Sequence, residues 1–331
     1  MTLTTKLFSA AAGIALSAGA ALAEPAIIYD LGGKFDKSFN ESAFNGASRW
    51  AEETGESFAE VELQSEAQRE QALRRFAEQG LNPIVTTGFS FASVLEQVAP
   101  DYPDTTFMIV DSVVDQPNVR SVVFDEHTGS YLVGVMAAMA SESHTVGFVG
   151  GMDIPLIRKF ACGYAQGVKA TDPEAEVLAN MVGTTPAAWA DPVRGSELAQ
   201  AQISQGADVI FAAAGASGIG VLQTVADEGV MGIGVDSNQN YLHPDNMLTS
   251  MVKRVDNSVY DAFSAGESLE PGVVTMGISD EGVGAAIDEY NEGRVTDEMR
   301  TALDEARAGI EDGSIEVHDY ASDETCDAIS F

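Results

Sequence analysis

The sequence predicts an α/β protein made of two doubly wound lobes, each with a parallel sheet. Short apolar runs alternate with segments of helical periodicity along most of the chain. This is the pattern of parallel strands joined by right-handed helical crossovers. The alternation runs to about residue 140 and starts afresh near residue 145. With 331 residues, the chain is also too long for one comfortable core, which favours two domains.

The first half predicts five strands separated by helices. A short apolar run forms the first strand, and the helix after the second strand stops at Gly80, a typical terminator. The predicted strands are 26–28, 58–63, 83–87, 106–110 and 119–124. The predicted helices are 41–50, 66–80, 93–99 and 130–140.

The second half repeats the alternation and then changes character. Its predicted strands are 145–149, 177–182, 207–213 and 232–235, and its helices are about 155–170, 193–205 and a segment ending at 228. Strands at 248–253 and 273–277 flank a helix at 256–265. The acidic C-terminal tail, which includes Ile315–Val317, is expected to be the last segment to pack on the second lobe.

The most informative stretch is the loop between the first strand and the first helix. It reads Tyr29-Asp-Leu-Gly-Gly-Lys-Phe-Asp-Lys-Ser-Phe-Asn40. Its two glycines allow a sharp turn, and Ser38 and Asn40 are candidates for the helix N-cap. Phe39 would then lie at the loop tip, where open α/β sheets bind ligands. An ordinary connection with Phe39 in the core is the alternative.

This loop carries a resemblance to a known family. Asp30 followed by Asp36-Lys-Ser-Phe-Asn40 resembles a signature of the basic membrane protein family, the substrate-binding proteins of ABC importers. Characterised members of the family bind purine nucleosides. Further similar segments follow in the family's order at Gly147–Gly151, Gln205–Phe211, Ala214–Gly215 and Gly234–Asp236. The resemblance covers nearly all of the chain after residue 24.

The resemblance implies a type I periplasmic binding fold with three crossings between the lobes. They would lie near Ser121–Asp125, Ser250–Arg254 and Thr275–Asp280. The first lobe would comprise residues 24–122 with 252–275, and the second lobe residues 123–251 with 276–331. A nucleoside would bind between the lobes by hinge closure, and the permease of an ABC importer would be the protein partner of a monomer.

Carried over residue by residue, the resemblance also implies a set of ligand contacts. These are Asp30, Ser38, Phe39, Asn40, Asp111, Asp236 and Lys253, with Phe160 and Trp189 as second-lobe aromatics and Gly88 and Gly215 lining the cleft through their backbones.

The residue types in this set suit a nucleoside. Phe39 and Trp189, on opposite lobes, would sandwich a flat ring. Carboxylates that follow strands accept hydrogen bonds from ribose hydroxyls or base N–H groups, and Lys253 could donate to a sugar oxygen. Each aspartate taken alone fits equally well as a helix cap or a surface charge.

The first residues predict a cleaved signal peptide, residues 1–23. Lys6 precedes an apolar run over Phe8–Leu16, and Ala21–Ala23 is a small-residue cleavage site. The run is too short for a membrane anchor, and no cysteine follows it. We therefore expect a soluble periplasmic protein rather than a lipoprotein. In an exported chain, Cys162 and Cys326 favour a disulfide, with two buried thiols as the alternative.

Composition and missing motifs exclude other classes of function. The chain has 51 acidic and 17 basic residues, for a net charge of −34, so nonspecific nucleic-acid binding is not expected. There is no nucleophile elbow, zinc-protease motif or metal-ligand spacing, and the four histidines are scattered.

A glycine-rich segment, residues 215–220, follows the predicted strand 207–213. Gly215, Gly218 and Gly220 do not have the dinucleotide spacing. They favour either close approach to a ligand or helix–strand packing.

We expect a binding protein without a cofactor. One alternative is a protein of the same fold that binds a sugar, a flavin or another heteroaromatic compound. The other is an enzyme that acts on nucleosides.

Overall fold

The computed structural model describes residues 23–331, so the predicted signal peptide lies almost wholly outside the described residues. Two six-stranded sheets organise this part of the chain. Each sheet with its helices is called a lobe below. The prediction of two α/β lobes with parallel sheets is confirmed.

The first lobe has an all-parallel sheet in the order β11-β5-β4-β3-β1-β2. Its strands are β1 Ala26–Tyr29, β2 Ala59–Glu62, β3 Ile84–Thr86, β4 Phe107–Val110, β5 Val119–Phe124 and β11 Gly272–Met276. Its helices are α1 Phe39–Thr54, α2 Arg69–Glu78, α3 Ala92–Val98 and α8 Val255–Ala265. Helix α8 joins this lobe because it packs against α1.

The second lobe has the order β12-β10-β9-β8-β6-β7, with only β12 antiparallel to its neighbour. Its strands are β6 Thr145–Met152, β7 Glu176–Gly183, β8 Val209–Ala213, β9 Met231–Asp236, β10 Met247–Lys253 and β12 Val283–Ala285. Its helices are α4 Glu126–Ala140, α5 Pro155–Thr171, α6 Pro192–Ser204, α7 Ser217–Glu228 and α9 Asp297–Glu311.

Three elements differ from the sequence prediction. Helix α4 begins at Glu126 rather than near residue 130, since Glu126–Gly129 already pack into the protein as its first turn. Strand β12 has only three residues, too few for a sequence pattern, and is a strand because it pairs with β10. Helix α9 was not predicted because its apolar stripe, which includes Met299 and Leu303, is narrow among many acidic residues.

The chain passes between the lobes at the ends of strands. Strand β5 ends at Phe124 in the first sheet, and α4 follows at once in the second lobe. Strand β10 ends at Lys253 in the second sheet, and α8 follows at once in the first. The exact lobe boundaries given above stay a prediction.

Helices α4 and α5 pack closely in the second lobe. A Cβ atom added at Gly163 would lie 2.2 Å from the His127 carbonyl oxygen, and one at Gly167 would lie 2.1 Å from that of Tyr131. Only glycine allows this approach. It fixes α5, whose first turns face the gap between the lobes, against the start of α4. No helix among residues 23–331 has the length and apolarity needed to cross a membrane.

Cys162 in α5 and Cys326 in the C-terminal tail form a disulfide in the structure. Gln166 reinforces this attachment, because its amide exchanges two hydrogen bonds with the backbone of His318. The tail is therefore held on the outer face of α5.

We expect both cysteines to be oxidised in the exported protein. Alkylation under denaturing conditions without reductant should leave the intact mass unchanged, and reduction first should add two alkyl groups. Two labelled thiols without reduction would contradict the bond. The double variant Cys162→Ala, Cys326→Ala should lose about 2–5 kcal/mol of stability.

Candidate ligand-binding site

A cavity opens between the lobes at the carboxyl ends of their strands. It contains about 670 Å³ of empty space, including the part open to solvent. Its first-lobe side is lined by Asp30, Leu31, Gly32, Asp36, Phe39, Asn40, Gly88, Phe89 and Asp111. Its second-lobe side is lined by Leu156, Ile157, Phe160, Trp189, Ala213, Gly215, Val235, Asp236 and Lys253. Every residue predicted as a ligand contact lines this cavity except Ser38.

The loop before α1 is held by the buried carboxylate of Asp36. It accepts hydrogen bonds from the backbone N–H groups of Ser38 at 2.8 Å, Asn40 at 3.0 Å and Glu41 at 3.1 Å. Of the two predicted N-cap candidates, Ser38 occupies the N-cap position and Asn40 lies inside the helix, but the Ser38 side chain makes no capping bond and the Asp36 carboxylate accepts from the helix N–H groups instead. Burial raises the pKa of Asp36 to about 7, although these N–H donors favour its charged form.

Asp30 is oriented by residues far away in the sequence. Arg69 donates to its carboxylate through Nη2 at 2.9 Å and Nε at 3.3 Å, and Ser90 donates to the other oxygen. Arg69 is itself buried. The charge of the Asp30 carboxylate is therefore balanced by Arg69. The carboxylate lines the cavity in a fixed orientation, as a hydrogen-bond acceptor.

Asn40 supports the same loop from inside. Its amide nitrogen donates to the carbonyls of Asp30 at 3.2 Å and Gly33 at 3.1 Å, and its oxygen accepts from Thr87 at 2.7 Å. These bonds occupy both ends of the amide. The side chain of Asn40 shapes the cavity wall more than it offers free polar groups.

Aromatic side chains line the cavity from both lobes. Phe39 is half-buried at the start of α1, and Trp189 is half-buried in the turn after β7. The Trp189 ring lies on the backbone of Gly151, where an added Cβ would come within 2.3 Å of it. Phe160 is only 3% exposed, so its ring belongs mainly to the core and meets the cavity at one edge.

The glycine-rich segment after β8 divides into two roles. Gly215 has φ +56° and lines the cavity beside Trp189. Gly220 lies against α6, where an added Cβ would be 1.8 Å from the Pro192 carbonyl oxygen. Gly215 therefore forms part of the cavity wall, and Gly220 allows helices α6 and α7 to pack closely.

Two aspartates line the cavity at strand ends of opposite lobes. Asp111 follows β4 with φ +70°, and Asp236 ends β9 with φ +61°; aspartate tolerates this left-handed conformation better than most residues. Ser38 donates to Asp236 from the other lobe. This explains why Ser38 is buried between the lobes rather than exposed in the cavity. Burial raises the pKa of Asp236 above its ordinary value.

Lys253 is the only cationic side chain lining the cavity in the described residues, and it is paired with buried carboxylates. Its Nζ lies 2.6 Å from Asp111 Oδ1 and 2.9 Å from Glu126 Oε1. Burial alone would lower the pKa of Lys253, but the carboxylates around it outweigh burial and raise that pKa. Asp111 shares this cation with Glu126, and burial raises the pKa of Asp111 to about 6.

Sequence reasoning missed several residues of the cavity. They are Leu31, Gly32, Asp36, Phe89, Leu156, Ile157, Ala213 and Val235. Five of them lie at or directly after strand ends, so their position was a usable signal, whereas Asp36 lies in the long loop after β1 and Leu156 and Ile157 lie in the first turn of α5. Glu126 and Arg69 lie outside the cavity, and no local pattern points to them. Residues 23–331 contain no cluster of three or more side chains that could hold a metal ion.

Comparisons with known proteins agree with this architecture. Residues 25–315 match the family model described as "ABC transporter substrate-binding protein PnrA-like". The chain is 31% identical over 318 residues to the ABC transporter nucleoside-binding protein BmpA of Lactococcus lactis, covering 88% of each protein. It is 33% identical over 276 residues to an uncharacterized lipoprotein of Pyrococcus furiosus, covering 78% of this chain and 69% of the relative.

Solved structures give the same result. A solute-binding protein of an ABC transporter system from Aeropyrum pernix K1 superimposes with a TM-score of 0.83 at 26% identity. The match covers 89% of this chain and 92% of that one. The predicted type I periplasmic binding fold is confirmed.

Proposed function

This chain belongs to the Bmp family of ABC transporter substrate-binding proteins, and from that membership we propose that it captures a nucleoside, with purines favoured, for an ABC importer. The observation that carries the proposal is a single cavity with an aromatic side chain from each lobe and carboxylates at the strand ends. A purine nucleoside combines a flat ring with a polar, hydroxyl-bearing sugar. The cavity offers a complementary group for each part.

In this proposal the base stacks between Phe39 and Trp189. The ribose lies toward Asp111, Asp236 and Lys253, where carboxylates accept from its hydroxyls and the ammonium donates to an oxygen. The relative BmpA, which is named as nucleoside-binding, supports this choice of ligand. No bond is made or broken, so the protein acts by binding alone and delivers its ligand to a membrane permease.

We place the protein in the periplasm as a soluble monomer released by cleavage of residues 1–23. The support is the charged and apolar pattern of those residues and the lack of a cysteine within them. The Pyrococcus relative is named a lipoprotein, so this chain would differ from it in anchoring. Mass spectrometry of the exported protein should find Glu24 at the N-terminus without lipid.

The direct test is calorimetric titration with nucleosides. The protein is first unfolded and then refolded, because this treatment removes any ligand that copurified with it. We expect inosine and guanosine to bind more tightly than the free bases or ribose, and the nucleosides to be recovered intact after incubation. Tight binding of a simple sugar with no response to nucleosides would reject the ligand but keep the fold. Release of free base would indicate an enzyme.

We also propose that the ligand is enclosed by hinge closure. The lobes already touch through hydrogen bonds outside the cavity: Ser237 Oγ donates to the Ser38 carbonyl, and Gln239 Nε2 to the Lys37 carbonyl, both at 2.8 Å. Small-angle scattering should show contraction when inosine is added. An unchanged profile at calorimetrically verified saturation would contradict closure.

The contact made by Ser237 gives a specific test of closure. Ser237→Ala removes one interlobe hydrogen bond without changing the cavity lining, so inosine affinity should fall by about 2- to 10-fold through faster dissociation. The preference among nucleosides should not change. Ser204→Ala, on the outer face of α6, is the matched control. If both variants release inosine at the parental rate, this contact does not stabilise the closed form.

A further inference from the structure

We propose that Glu126 is a positioning residue for ligand capture, acting through Lys253 although its own side chain lies outside the cavity. The inference rests on the proposed function, in which Lys253 donates to the ligand. It concerns a residue at the junction of the two lobes, where the chain leaves β5 and enters α4.

Glu126 is placed to act on Lys253 and to stay rigid while doing so. Its side chain is 1% exposed, and its two carboxylate oxygens bind two different lysines. Oε1 lies 2.9 Å from Lys253 Nζ, and Oε2 lies 3.0 Å from Lys159 Nζ. Lys159 is anchored in turn, because its Nζ donates to the Phe124 carbonyl at 2.7 Å and lies 3.5 Å from Asp319 in the tail.

This arrangement determines how Lys253 meets the cavity. The ammonium has three N–H groups. One is directed to Asp111 of the first lobe, at 2.6 Å, and one to Glu126. With two donors held at fixed points, the third has a defined direction for a ligand oxygen. Without Glu126, Lys253 would form a simple pair with Asp111 and could rotate about it.

Charge sharing gives a second consequence. Asp111 and Glu126 compete for one ammonium, and Asp111 is the partner whose pKa is raised, to about 6, by burial, by Glu126 and by Asp236. The other charged or titratable groups facing this cluster are Asp125, His127, Lys159, Asp236 and Asp319. Glu126→Gln would leave Lys253 to Asp111 alone and should lower the pKa of Asp111.

The test uses the full mature protein with the change Glu126→Gln. We expect inosine affinity to fall by about tenfold, because the ion pair that orients Lys253 is replaced by a weaker hydrogen bond to an uncharged amide. We also expect the acidic limb of the affinity–pH profile to move to lower pH. A carboxyl ¹³C NMR titration of Asp111 in the ligand-free protein should show the same downward shift.

The control is Glu60→Gln, the same change at a glutamate paired with Lys34 outside the cavity. If Glu126→Gln folds and keeps the parental affinity, the positioning role is rejected. If it does not fold, the double variant Glu126→Gln, Lys159→Met restores the charge balance, and parental affinity in that variant also rejects the role. If the parent binds no inosine, the proposed function fails, and an unchanged Asp111 titration then overturns the inference separately.

Discussion

Phe39→Ala is expected to weaken inosine binding by about 30- to 1,000-fold. Burying a Phe-sized side chain contributes roughly 1.5–3 kcal/mol, and aromatic stacking adds about 0.5–1.5 kcal/mol, with each 1.4 kcal/mol giving about tenfold in affinity. Phe39 is already half-buried in the wall of the cavity, so a base that stacks on it buries only the rest of the ring and the effect should lie toward the lower end of this range. Alanine is a strong helix former, so α1 should persist.

The measurement is isothermal titration of the parent and variant with inosine and guanosine. Phe44→Ala is the matched control, because Phe44 lies on the same helix and packs edge-on against Phe35 with ring centroids 5.3 Å apart. That control should bind as the parent does. Parental affinity in Phe39→Ala would show that the base does not stack on this ring, whatever Trp189 does.

Lys253→Met is expected to lower the free energy of unfolding by about 3–5 kcal/mol, the usual cost of removing one partner from a buried ion pair. Lys253 is 1% exposed, and the side chains of Asp111 and Glu126 are 7% and 1% exposed. Loss of the ammonium leaves Asp111 without the cation it pairs with, whereas Glu126 keeps Lys159. Urea unfolding measures the loss. Lys37→Met is the control, because its exposed pair with Glu41 should contribute at most about 0.5 kcal/mol.

The loss in Lys253→Met should also depend on pH. The pKa of Asp111 is already raised to about 6 in the folded protein, and losing the cation raises it further. A raised folded-state pKa means that the folded state binds more protons than the unfolded state above about pH 4, so stability falls as the pH rises. The variant should therefore be closer to the parent at pH 5 than at pH 7. An equal difference at both values would show that Asp111 is not the group left unpaired.

The architecture could be predicted from the sequence alone, and the family resemblance added ten of the eighteen residues that line the cavity. Strands such as 107–110 and 209–213 are continuous apolar runs because both faces of a parallel sheet are covered. Ligands bind at the carboxyl ends of such strands, so residues that follow them, including Asp111 and Asp236, could be identified from position alone. These features follow from local pattern and need no knowledge of distant contacts.

The pairing of the polar groups could not be predicted from the sequence. Arg69 orients Asp30 across 39 positions, Ser38 meets Asp236 across 198, and Glu126 meets Lys253 across the junction of the lobes. Helix α9 and strand β12 likewise could not be predicted, because each is stabilised by the surface or strand that it packs against. In a chain with 51 acidic residues, no local pattern distinguishes the few carboxylates that are buried and paired. The energy of such a pair depends on distance and burial, and both are set by how remote segments fold together.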